Sequence, residues 1–247
     1  MIALLQAGYY AEPHAARYDA ATMGMFVLII AIGVIGFIVQ ARLQSVFKKY
    51  SKVQFPGGLT GAEVAEKMLR DNNIHNVKVT HVGGHLTDHF NPQTMTVNLS
   101  DSVYSSSSVA AAAVAAHECG HAVQHAHAYA PLKMRSSLVP VISFASNWMM
   151  WVLLIGMFTL NVFPQIMLFG IILFAATTLF SFITLPVEID ASRRAVKWLS
   201  EAGVTNNRNY GAAVSALRSA AYTYVVAALG SLATLLYYVM IFLGRRD

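Results

Sequence analysis

Four long apolar runs constrain this chain more than any other feature. A bilayer crossing takes about 20 mostly apolar residues, and residues 21–41, 138–160, 166–185 and 221–243 each meet that need. The second and third runs are separated only by residues 161–165, where Asn161 and Pro164 suit a tight turn between antiparallel helices. Charged residues are only 12% of the sequence and fall outside the runs. The expected fold class is therefore a mainly α integral membrane protein with about four transmembrane helices. The first run has the position of a signal peptide, but no basic region precedes it and no small-residue cleavage site follows it. It reads as a retained anchor.

Charge sets the expected orientation. Fourteen of the 17 Lys and Arg residues lie in residues 42–135 and 186–220. By the positive-inside rule both stretches face the cytoplasm. The expected arrangement is an external leader over 1–20, a cytoplasmic domain over 42–135 and a smaller cytoplasmic helical segment over 186–220, in the cell inner (plasma) membrane. The net charge of +5 is accounted for by this bias, so the lipid bilayer is the expected partner and nucleic acid is not. The single cysteine, Cys119, excludes an intrachain disulfide and a multi-cysteine metal site.

The block between the first two runs has mixed structure. Thr60 and Glu63 form a capping-box pattern that opens a helix over 61–70. Residues 76–82 and 94–99 alternate polar and apolar, as half-buried strands do. A serine cluster, Ser105 to Ser108, precedes a helical stretch over 107–129. After the third run, Pro186 and Gly203 bracket a further expected helix.

The helical stretch contains His-Glu-Cys-Gly-His. His117 and His121 are four apart, one helical turn, so both imidazoles can reach one metal ion. Glu118 sits beside the first ligand and can act as general base toward a water in the metal's open position. A site of this kind needs a third protein ligand. His125 continues the row but lies eight residues from His117, about 12 Å along the axis, too far to share one ion.

Elimination leaves two acidic candidates. Glu12, Asp19 and Asp247 fall on the far side of the membrane. Asp71, Asp101, Asp88, Glu63, Glu66 and Glu201 suit helix ends, a loop or the capped helix. Glu188 and Asp190 remain. They are two apart, so they point about 200° apart on a helix. The face of Glu188 continues through Ala191, Ser192, Ala195 and Leu199 and suits packing; that of Asp190 continues through Arg193, Arg194 and Lys197 and suits solvent. Glu188 is the expected third ligand. Asp190 is expected to pair with Arg194 or to orient a ligating histidine. His89 reads as a surface histidine rather than an oxyanion stabiliser, Cys119 as a small apolar filler, and Tyr222, Tyr224, Tyr237 and Tyr238 as interface or packing aromatics.

Three blocks occurring in order, LTDHFNPQTMTVNLSDSVY, VAAAAVAAHECGHAVQHAHAYAPLKMRS and LPVEIDASRRA, resemble the YugP-like neutral zinc metallopeptidases of bacteria. The chain is more distantly similar to HtpX-type and prenyl-protein-processing membrane proteases, whose Glu-x-x-Ala-Asp helix supplies the third zinc ligand. The matching residues here are Glu188, Ala191 and Ser192, with Ser192 where those relatives carry Asp. The resemblance implies zinc (Zn2+) as cofactor, peptidase activity, and a small α+β zincin-like form for the cytoplasmic domain.

The expected function is that of a membrane zinc metalloendopeptidase acting on membrane-associated proteins or peptides at the cytoplasmic membrane surface, with strand 94–99 offering its edge to substrate. The alternative is a non-catalytic zinc-binding membrane regulator or adaptor, which has no use for Glu118. A transporter is disfavoured because the runs carry no Asp, Glu, Lys or Arg. A site-2-type intramembrane protease is disfavoured because the His-Glu motif lies outside the runs and a Leu-Asp-Gly signature is absent.

Overall fold

Uninterrupted helical hydrogen bonding is the way a single segment satisfies its backbone in lipid, and the four apolar runs all lie in long helices. The structure, a computed structural model of the chain, describes residues 13–54, 57–84, 86–203 and 207–244. In chain order its elements are α1 (Pro13–Tyr50), α2 (Gly61–Asp71), β1 (Lys78–Val82), β2 (His89–Asn91), β3 (Thr96–Ser100), α3 (Asp101–Tyr104), α4 (Val109–Ala126), α5 (Ala130–Phe158), α6 (Pro164–Glu201) and α7 (Asn207–Gly244). The first 12 residues of the expected leader, and the tail from residue 245, lie outside the described residues. Helices α1, α5, α6 and α7 are each long and apolar enough to cross a membrane.

The chain divides into two units. One contains Val139–Ser181 with the parts of α1 up to Gly36 and of α7 from Val226. Within it, Gly156 lies so close to α6 that an added Cβ would be 2.6 Å from the Met167 Cα. Small residues of this kind let membrane helices approach closely. Leu153, Met167 and Ile171 form its buried cluster, and Thr178 and Ser231 hydroxyls bond at 2.7 Å. Phe144, Trp148, Trp151 and Phe169 remain exposed, as side chains that face lipid would. Pro164 is the first residue of α6, where its missing N–H costs nothing.

The other unit comprises Phe37–Leu138 and Phe182–Val225. The capping box forms as expected: the Thr60 side chain accepts from the Glu63 N–H and the Glu63 carboxylate accepts from the Thr60 N–H. Helix α2 then buries Val64, Ala65, Met68 and Leu69 against a core that includes Val97, Leu99 and the Ala-rich start of α4. The sheet order is β1-β3-β2, with β1 parallel and β2 antiparallel to β3. The fold is thus mainly helical, with one small mixed sheet.

Four local expectations change. Asp88 lies in a loop as expected, yet His89 beside it opens β2, a three-residue strand too short to show a period-2 pattern. That strand flanks β3, so residues 96–99 run through the centre of the sheet and have no free edge for substrate; β1 and β2 are the edge strands. Pro186 was expected to begin a separate helix but lies inside α6. A proline removes one backbone bond; the helix continues because Val187, Ala191, Ala195 and Leu199, all 0% exposed, hold its second half in the core. Finally, the stretch expected over 107–129 stops at Ala126, and Ala128 takes a positive φ of 54° before α5 begins.

A candidate metal centre

The metal helix is built to be buried. Ser108 caps α4 by accepting from the Ala111 N–H at 3.2 Å, and Val109 to Ala116 are all buried small residues. Small side chains let backbones come close, and Gly120 shows how close. A Cβ added there would lie 2.6 Å from the Ala191 carbonyl oxygen and 3.1 Å from the Ala191 Cα. Helix α6, three residues beyond Glu188, therefore rests on the α4 backbone between the two histidines. Gly120→Ala should push these helices apart. Metal affinity measured by chelator competition should fall more than tenfold, by analogy with losses of 10- to 100-fold on disturbing a ligand's support; wild-type affinity would contradict this contact.

The three expected ligands come together. Ligand atoms of His117, His121 and Glu188 all lie within 4.8 Å of one another. Glu188 Oε2 is 3.2 Å from His117 Nε2 and 3.7 Å from His121 Nε2. Side-chain exposures are 14% for His117, 9% for His121 and 4% for Glu188. Two imidazole nitrogens and one carboxylate oxygen, converging in a buried spot, fit a catalytic zinc: three protein ligands and a position left for water or substrate.

Neighbouring polar groups hold these three side chains. The Arg135 guanidinium pairs with Glu188 Oε1 at 3.0 Å, which leaves Oε2 to the histidines. Ser192 Oγ lies 3.1 Å from His117 Nδ1, and Gln124 Oε1 lies 3.0 Å from His121 Nδ1. Tyr224, expected only as an interface or packing aromatic, also lies beside Glu188. Sequence reasoning missed Arg135, Gln124 and this role of Tyr224. The available signals were a polar residue three positions after His121 and a lone arginine just before an apolar run.

Glu118 is 9% exposed. Its Oε2 accepts from the Phe90 backbone N–H, on β2, at 3.0 Å. Burial, first of all, pushes its carboxyl up to about 6; the His117 charge opposes this and the negative charges of Glu188 and Asp88 add to it. A carboxyl tuned toward neutrality can both take and return a proton.

The remaining candidates fall elsewhere. Asp190 accepts from Arg194 Nε at 2.6 Å, the expected pairing, and from Gln124 Nε2. His125 is exposed and lies against the Phe90 ring at 5.7 Å between centroids. His89 has Thr87 O and Asn98 Nδ2 as its nitrogen partners. Cys119 is fully buried, with its thiol toward Ala65 O and its pKa pushed up by burial. Asp88 caps Ser100 through both carboxylate oxygens.

Comparison with known proteins places the chain among zinc peptidases. The family model described as "Putative neutral zinc metallopeptidase" matches residues 25–243. "Putative membrane protease YugP" of Bacillus subtilis (strain 168) is 44% identical over 225 residues, covering 90% of this chain and 98% of that relative. No solved structure matches the chain.

Proposed function

The chain belongs to the neutral zinc metallopeptidase family, and from that premise we propose that it is a membrane endopeptidase cleaving membrane-associated proteins or peptides at the cytoplasmic surface. His117, His121 and Glu188 hold one zinc ion, and Glu118 is the general base. The convergence of the three ligand atoms within 4.8 Å carries this reading.

When bound, zinc supplies Lewis acidity that polarises a carbonyl and lowers the pKa of water. The chain's own residues do the rest. Glu118 takes a proton from the attacking water and returns it to the departing amine. The Phe90 N–H fixes one of its oxygens. Arg135 holds Glu188 by one oxygen so that the other faces both histidines. Strand β2 is an edge strand and its Phe90 N–H reaches Glu118, which supports a substrate backbone lying alongside β2.

Purified protein should cleave peptides from a broad library, stop on treatment with a chelator and recover on adding zinc. Zinc binding without any cleavage would favour the non-catalytic regulator instead.

The membrane assignment supports substrates that reach the site from the bilayer: Glu188 follows the third apolar run by three residues, and Arg135 precedes the second by three. The cytoplasmic orientation rests on the basic bias of residues 42–135 and 186–220. A Ser51→Cys variant tests it, with Cys119→Ser removing the native thiol. An impermeant maleimide should label that cysteine only after the membrane is opened; labelling of intact cells from outside would reverse the topology.

A further inference from the structure

Gln124 is 0% exposed. A fully buried primary amide must find partners for its N–H groups and its oxygen. Its Nε2 lies 2.8 Å from the Val187 carbonyl oxygen and 2.8 Å from Asp190 Oδ2. Both partners can only accept, so the amide nitrogen must face them. Oε1 is then left to accept, and it lies 3.0 Å from His121 Nδ1. His121 therefore carries a proton on Nδ1, and in the neutral ring the lone pair is on Nε2, the atom nearest Glu188.

The other two contacts are equally pointed. Val187 and Asp190 stand on either side of Glu188 in the α6 sequence. One buried side chain thus fixes the ring of one ligand and ties down the helical turn that carries another. Asp190 is itself anchored by Arg194 Nε at 2.6 Å, so the amide meets a fixed acceptor.

We propose that Gln124 is a positioning residue of the metal centre: it sets the tautomer and orientation of His121 and the register of the Glu188 turn against α4. The site is thereby arranged before metal arrives. This rests on the metal reading above, but its tests separate the two.

The first test needs no variant. Nitrogen chemical shifts of His121 in the metal-free, full-length wild type should report the Nδ1–H tautomer; the Nε2–H tautomer would overturn the proposal. The second uses Gln124→Met, close in length and without the amide. Its zinc affinity, by chelator competition, should fall about 10- to 100-fold, and the visible spectrum of its cobalt form should change. Thermal unfolding and gel filtration show whether the variant is folded. A folded Gln124→Met with wild-type affinity and an unchanged cobalt spectrum would overturn the proposal. If it does not fold, the tautomer measurement decides. A wild type that binds no zinc would defeat the metal reading and leave the tautomer result to judge Gln124.

Discussion

Glu118→Gln should keep one metal per chain and a wild-type unfolding temperature while kcat falls about 10²- to 10⁴-fold, the usual contribution of a general base. The substitution is nearly isosteric. The Phe90 N–H that now donates to Glu118 Oε2 at 3.0 Å can donate to the amide oxygen instead, so the support from β2 survives. The base does not: an amide oxygen cannot take a proton near neutral pH. The reading also separates Glu118 from the ligands, because its oxygen is engaged by a strand while the ligand cluster comprises His117, His121 and Glu188. Zinc content, unfolding temperature and peptide turnover on one preparation check all three parts. A variant that keeps its metal and cleaves at the wild-type rate would end the case for Glu118 as base.

Glu188→Ala should release the metal and with it the turnover. The carboxylate is 4% exposed and reaches both histidines and Arg135. Truncation removes one of three ligand atoms and leaves the Arg135 guanidinium without that anionic partner. Loss of a buried partner of a charged group commonly costs about 3–5 kcal/mol, so the unfolding temperature should fall as well. Elemental analysis should give well under one zinc per chain, and activity should be undetectable. Full zinc content in this variant would move the third ligand elsewhere, and Asp190 would be the next residue to substitute.

Much of this centre was legible in the sequence because helical spacing is rigid. His117 and His121 had to share a face, and Glu188 and Asp190 could not. Burial then separated the two acids as their neighbours suggested: Ala191, Ala195 and Leu199 are 0% exposed on the Glu188 side, while Asp190 pairs with Arg194. The apolar runs were legible for the same kind of reason, since bilayer thickness fixes a length. What escaped was decided by contacts distant in sequence. Gln124 is buried, and its amide is satisfied by the Val187 turn of α6, 63 residues away. Tyr224 lies within an apolar run by composition, and its place beside Glu188 follows from helix packing that no local pattern encodes. Strand β2 has three residues, too few for periodicity, and pairing with β3 defines it. Pro186 illustrates the opposite error: a local rule for helix starts yielded to the packing of Val187 and Ala191.

The central claim is that one zinc ion sits among His117, His121 and Glu188. Crystals of the zinc-loaded wild type, measured on both sides of the zinc absorption edge, address it directly. The account predicts one anomalous peak, present only above the edge, bonded to His117 Nε2, His121 Nε2 and Glu188 Oε2. A peak at another set of side chains, or one at the two histidines with Glu188 turned away, would contradict it.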